Sequence, residues 1–238
     1  MSGKLRDTLL RVVMVAVLMT VTVGSLQVLD AHPDVQERNE HLYFPSGKFL
    51  KETTLGYRAA MADYLWFRFI QYYGAFAKDQ NDLRYMDVLV ESIITLDPMF
   101  IEAYHFAALV KWTDFGDFPA SIDMLKRGVL ANPNSAKLHF QVGFIYYVFG
   151  RDYPRAALWF EKAGQCPDAT DMERRFAAFA RYRSGDDRVS LELWKTMYLS
   201  TDSPQMKDLA LKMIQKLERK LELIELYGPG FIGPIPEI

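Results

Sequence analysis

Only one cysteine, Cys166, occurs in the 238 residues. That excludes an internal disulfide, a CxxC redox pair and a cysteine-rich zinc site. It lies at the end of an apolar run, where an inert buried thiol is expected. Charge of one sign is also missing: 28 Lys and Arg face 30 Asp and Glu, for a net charge of −2. The basic footprint of a nucleic-acid binder is therefore absent, and no nucleic-acid partner is predicted. There is no Gly-rich phosphate loop, no GxSxG, no HExxH and no paired-carboxylate motif. The reading is accordingly non-enzymatic, with no cofactor and no small-molecule substrate. Of the four histidines, His32 and His41 lie in a polar stretch. His105 and His139 occupy adjacent places in successive segments but lack a third ligand, so no metal is predicted. His139 falls where an aromatic would pack, which favours a core role.

What is present begins with a long hydrophobic run. Half of the chain is hydrophobic and 14% is aromatic, which excludes disorder and supplies a sizeable core. Lys4, Arg6 and Arg11 precede an uncharged run from Val12 to Leu29. As a helix it covers about 27 Å, close to the hydrocarbon thickness of a bilayer. Asp30, Asp34, Glu37 and Glu40 follow, against a single Arg38. Positive residues before the span and few after it place the N-terminus in the cytoplasm and the rest outside the inner membrane, in the periplasm of a Gram-negative bacterium. The competing reading is a cleaved signal peptide. The exit, Gln27-Val28-Leu29-Asp30-Ala31, offers a poor cleavage site, and a retained anchor is favoured.

Beyond the span, prolines mark time. Asp97-Pro98, Asn132-Pro133 and Cys166-Pro167 are separated by 35 and 34 residues. Each follows one helix-like run and precedes another. A period near 34 residues describes stacked helix-turn-helix units, each unable to bury its own apolar face alone. In the unit from Ala136, Gly143 takes the eighth position and Tyr146 the eleventh; after the Gly150 turn come Ala156, Phe160, Ala163 and then Pro167. In the unit from Ile101, Tyr104 and Ala108 match, the turn is Gly116-Asp117-Phe118, and Ser121 and Gly128 replace the two alanines. A degenerate unit follows, with Phe176, Ala177, Ala178, Tyr182, the Gly185-Asp186 turn, Leu191, Trp194 and Tyr198.

This pattern resembles the tetratricopeptide repeat, most specifically over residues 98–167 and more loosely over 49–202. The resemblance implies an all-α solenoid of antiparallel helix pairs, wound as a right-handed superhelix with a concave groove, and a role in protein or peptide binding rather than a reaction. The predicted organisation is a transmembrane anchor over 1–29, a linker over 30–47, the repeat domain over 48–202, a C-terminal capping helix over 203–227 and an apolar Pro/Gly-rich tail over 228–238. Ser203 and Pro204 suit the N-cap and first position of the capping helix, whose apolar stripe is Met206, Leu209, Ala210, Met213, Leu217, Leu221 and Ile224. Phe49 to Phe76 is expected to be one aromatic helix, with Ser46 or Thr53 as its cap and Leu55, Ala59, Ala62, Trp66, Phe69, Ile70 and Tyr73 as its buried stripe. A second helix is expected from Leu83 to Leu96.

Two contact surfaces are predicted. The repeat resemblance implies that the groove is lined by Glu102, His105, Leu109 and Trp112, then by Lys137, Phe140, Phe144 and Tyr147, with Arg175 as a further candidate. Such a groove suits an amphipathic helix or extended peptide, unless the chain fills it itself. The second surface is the set of off-stripe aromatics Tyr64, Phe67, Tyr72 and Phe76, together with Phe231 and Ile232 of the tail. Arg174, Arg175, Arg181 and Arg183 are read chiefly as a solvated face pairing with Glu173, Asp186 and Asp187. Asp63 is expected to pair with Arg58 or Arg68. The functional expectation is a membrane-anchored scaffold or adaptor for an envelope or inner-membrane complex. An integral accessory subunit of a respiratory or photosynthetic complex is the alternative, and a cell-envelope enzyme or regulator a third.

Overall fold

The computed structural model describes residues 3–30, 47–78 and 82–228. Every regular element among them is helical: α1 (Gly3–Asp30), α2 (Gly47–Thr53), α3 (Arg58–Phe76), α4 (Met86–Leu96), α5 (Ile101–Thr113), α6 (Phe118–Ala131), α7 (Ala136–Ile145, continued by one π-helical turn, Tyr146–Gly150), α8 (Tyr153–Gly164), α9 (Asp171–Ser184), α10 (Asp187–Ser200) and α11 (Pro204–Tyr227). Helices pair as α3 with α4, α5 with α6, α7 with α8, and α9 with α10; α11 closes onto α10. Extensive packing is confined to neighbours in sequence, with α2 on α4 and α5 on α7 as the added contacts. That neighbour-only pattern is the architecture of a solenoid of stacked hairpins.

The small residues of the repeat act as the spacing predicts. A methyl group on Gly143 would lie 2.8 Å from the Phe160 ring and 3.2 Å from the Ala156 carbonyl oxygen, so α7 and α8 touch backbone to side chain there. One unit earlier, Gly128 meets Tyr104, where an added Cβ would sit at 2.9 Å. Ala156, Phe160 and Ala163 are fully buried. The apolar interior runs as three successive clusters: a large one from Leu50 to Ile145, one around Phe140 and Phe160, and one around Trp194 and Leu217.

The proline turns also stack on one another. Asn132 Nδ2 donates to the Pro98 carbonyl at 3.3 Å, and the Tyr104 hydroxyl donates to the same oxygen at 3.1 Å. Asp168 accepts from the Ala136 amide at 2.9 Å, and the Thr201 hydroxyl donates to Asp171. Helix starts are capped by Asp117, Ser135, Asp152, Thr170 and Ser203. These bonds satisfy amides that the first helical turn leaves open.

Three expectations about the first hairpin need correction. The segment from Phe49 to Phe76 is two helices, because Leu55 (φ 47°) and Gly56 (φ 96°) both adopt left-handed backbone and stop α2. Thr53 then lies inside α2, and Ser46 is outside the described residues. The buried face of α3 is Ala62, Leu65, Phe69 and Tyr72, whereas Leu55, Ala59 and Ile70 are exposed. The stripe is rotated because α3 packs on α4 while Trp66, Phe69 and Tyr73 surround the ring of Phe106 at 5.8, 5.6 and 5.0 Å. The next helix begins at Met86 rather than Leu83, with Leu83 buried just before it. In α11 the stripe holds at Ala210, Met213 and Leu217, with Leu209 and Leu221 half-buried, and Leu223 is buried as well.

Candidate functional site

The predicted groove residues of α5 and α7 are neighbours. Lys137 Nζ donates to both carboxylate oxygens of Glu102 at 2.7 Å, and His105 Nδ1 lies 3.8 Å from Glu102. Burial, followed by the Lys137 charge, pushes the His105 imidazole below its ordinary value. The crevice bounded by His105, Leu109, Trp112, Gln141 and Ile145 encloses only about 10 Å³, too little for a ligand side chain between them. Trp112 turns toward Phe149 at 4.6 Å, and Phe149 in turn meets Phe118 at 5.0 Å.

The other half is an aromatic platform. Phe140 is buried, with Phe144 at 6.1 Å, Phe160 at 5.1 Å and Phe176 at 5.1 Å; Tyr147 packs on Phe176 at 6.2 Å. The Arg175 guanidinium lies 5.8 Å from the centre of the Phe176 ring and forms no ion pair among the described residues. The structure thus gathers Phe140, Phe144, Tyr147 and Arg175 around Phe176, and separately Glu102, His105 and Lys137.

Sequence reasoning left out further aromatics, of which those on α9 pack toward α10 and α11 rather than onto the platform. Carrying the same helix register into α9 selects Phe179 and Tyr182. Phe179 packs on Trp194 at 4.9 Å, and Lys216 and Lys220 of α11 lie over the Tyr182 ring at 5.4 and 4.9 Å. Phe149 carries no such signal. It reaches Trp112 because the π-helical turn Tyr146–Gly150 adds a residue to the last turn of α7, opening a crevice of about 180 Å³ with Phe118, Ile122 and Tyr146.

Two arginines of this helix form ion pairs among the described residues; the expected partner Asp186 is one of those used, while Glu173 and Asp187 are engaged elsewhere. Arg181 bridges Glu161 of α8 and Asp186 at 2.9 Å; Arg174 lies 3.5 Å from Asp171. The Arg181 bond holds the Asp186 carboxyl below the usual carboxylate range. Glu173 instead closes a capping box with Thr170, and Asp187 accepts from Lys220 at 2.7 Å. Asp63 is exposed and makes no ion pair among the described residues. Cys166 is half-buried rather than buried, 3.8 Å from His139 Nδ1; burial first, then Asp168 and Glu173, raise its pKa, which keeps the thiol protonated. His139 is buried against Trp159 at 5.8 Å. No group of three or more metal-ligating side chains occurs among the described residues.

Of the aromatic-helix candidates, Tyr64 and Phe67 are exposed and Phe76 is half-buried. Tyr72 is not surface: it is buried, and its hydroxyl bonds the Asp82 carbonyl and accepts from the Tyr85 amide at 3.2 Å. Phe231 and Ile232, with the rest of the predicted tail after Gly228, lie outside the described residues. Among the described residues no helix is long and apolar enough to cross a membrane. Within α1, side chains are described only at Arg11 and residues 13–25, a stretch shorter than the roughly 20 residues a crossing takes.

No known sequence family matches the chain, and no curated protein matches it. One solved structure, titled "Crystal structure of MamA", aligns at 15% identity over 65% of this chain and 96% of that chain, with a TM-score of 0.39. A likeness that faint adds nothing to the architecture described above.

Proposed function

We propose that this chain is a non-enzymatic, membrane-anchored scaffold. Its stacked hairpins would hold a protein partner on the face built by α5, α7 and α9, as part of an inner-membrane or envelope complex. The observation that carries this reading is the platform that Phe144, Tyr147 and Phe176 form over the buried Phe140, with Arg175, which makes no ion pair among the described residues, beside it. Half-buried rings next to an unpaired guanidinium favour a peptide that offers both an apolar side chain and a hydrogen-bond acceptor.

The anchor is argued from α1 and its flanks. Apolar side chains from Val13 to Val23 are exposed on every side of the helix, so no face is reserved for the rest of the chain. Thr20, Thr22 and Ser25 turn their hydroxyls onto the carbonyls of Ala16, Leu18 and Val21 at 2.7–2.8 Å. Such back-bonding satisfies hydroxyls that hydrocarbon could not. With the basic flank before Val12 and the acidic flank after Leu29, the repeats fall on the side opposite the cytoplasm. An added Cβ on Gly24 would meet nothing within 4 Å among the described residues, which leaves room for a second reading, in which α1 packs against other spans as an accessory subunit of a respiratory or photosynthetic complex.

The test is co-purification from native membranes in mild detergent, comparing the natural chain with Phe144→Glu. Loss of a stoichiometric partner, with the helical spectrum retained, supports the scaffold. An unchanged set of partners, or no partner in either preparation, rejects it.

A further inference from the structure

The two ends of the solenoid differ. At the C-terminal end, the outer face of α11 carries Lys207, Asp208, Lys212, Glu218, Arg219 and Glu222 along its length, with Leu211 exposed among them and Leu226 and Tyr227 exposed in the last turn. At the other end the outer face of α3 is aromatic and uncovered. Phe67 and Tyr64 are 59% and 55% exposed, opposite the buried line Ala62–Leu65–Phe69, and Ile70 lies beside them. Just before α3, the turn between α2 and α3 projects Leu55 and Tyr57, 88% and 77% exposed. Leu55 sits there at φ 47°, a conformation that costs a leucine about 1–2 kcal/mol and is ordinarily left to glycine or asparagine. A leucine held in that conformation at full exposure gains nothing from the fold itself.

Charge and chain order say what covers this end. The same segment of chain carries Lys51, Arg58 and Arg68, which make no ion pair among the described residues, against Glu52 and Asp63, for an excess of one positive charge. Exposed aromatic rings and a projecting leucine on a segment with a slight excess of cations suit the boundary between acyl chains and anionic headgroups. The patch is also the part of the repeat domain next to α1 in sequence. Sixteen residues separate Asp30 from Gly47, a reach of up to about 55 Å. We infer that the Leu55–Tyr57 turn and the Tyr64–Phe67 face of α3 rest on the anionic surface of the bilayer that α1 spans. The stack is thereby tethered at one end, with the platform of α7 and α9 held away from the lipid. This rests on the reading of α1 as a membrane anchor.

The experiment uses the full chain carrying Cys166→Ser and one new cysteine, labelled with a fluorophore. The sites are Leu55→Cys, Phe67→Cys, Leu199→Cys in α10 and Val21→Cys in α1. Each protein is reconstituted into vesicles of phosphatidylcholine and phosphatidylglycerol in equal parts, without quencher and with a nitroxide-labelled lipid, the nitroxide lying near the headgroup for sites 55, 67 and 199 and at the end of the acyl chain for site 21. The expected result is loss of emission at 21, 55 and 67 and none at 199, with the quenching at 55 and 67 weakened when phosphatidylglycerol is left out. Quenching at 21 with 55 and 67 as bright as 199 overturns the docking face and leaves the anchor standing. An unquenched label at 21 overturns the anchor, and the docking face with it. Disulfide-linked dimers formed on oxidation of the unlabelled Phe67→Cys chain, with no lipid quenching of the labelled one, assign the face to a second copy of the chain and overturn the proposal.

Discussion

The hydroxyl of Ser121 donates a 2.7 Å hydrogen bond to the carbonyl oxygen of Ala108. Two units on, Ser190 makes the same bond to Ala178 at 2.8 Å, and the intervening unit places Ala156 against Gly143 at the equivalent point. Ser121→Ala should therefore cost about 1 kcal/mol, the net value of a buried hydrogen bond, without disturbing the helix contact. Because the sites are far apart, the double variant with Ser190→Ala should lose about twice as much. Denaturant midpoints in detergent measure both; an unchanged midpoint would mean the bonds are incidental.

Glycine-to-alanine changes should have opposite signs in two helices. At Gly143 the added methyl meets the Phe160 ring at 2.8 Å and backbone at 3.2 Å, so Gly143→Ala should destabilise by about 1–3 kcal/mol. Nothing lies within 4 Å of a methyl on Gly74 inside α3, so Gly74→Ala should stabilise by about 0.5–1 kcal/mol through helix propensity and a less flexible unfolded chain. Thermal melts of both variants decide the point.

How much of this was legible beforehand depends on how local each cause is. The Gly143–Phe160 approach, the buried Ala156 and Ala163 and the Ser203–Pro204 helix start follow from residues whose packing partner sits one hairpin away, and the proline spacing announces the hairpin. Asp186 pairs with the arginine helix as its nearness in sequence suggests, whereas Arg181–Glu161 and Lys220–Asp187 join different helices, and periodicity says nothing of which charged residues meet across them. The α2–α3 break was missed because Leu55 fits an apolar stripe, although Gly56 was a usable signal. The π-helical turn that brings Phe149 to Trp112 breaks the very period used to read the sequence.

Arg151 offers a related test. Gly116 and Gly185 take the left-handed residue before α6 and α10, and Arg151 holds the same place before α8 at φ 48°. Arg151→Gly should relieve this, raising stability by up to about 1 kcal/mol. A lower melting temperature would show that the exposed guanidinium has a role in the fold that its surroundings do not reveal.

Stability should also depend on pH through His105. Burial and Lys137 hold its folded pKa below the unfolded value, so the unfolded chain takes up the proton first. The contribution is intact above the unfolded pKa of about 6.5 and is lost as pH falls through it toward the folded pKa. Urea midpoints taken at about pH 7.5 and 5.5 should drop for the natural chain and drop less for His105→Gln.

The scaffold account depends on a repeat domain carried across a membrane by its own N-terminal helix. Cysteine accessibility in spheroplasts tests it most directly, using a membrane-impermeant maleimide on Cys166→Ser chains bearing Ser2→Cys or Leu199→Cys. The account predicts labelling at 199 in intact spheroplasts, labelling at 2 only after lysis, and retention of both chains in the membrane after an alkaline carbonate wash. Release by carbonate, or labelling in the reverse order, would contradict it.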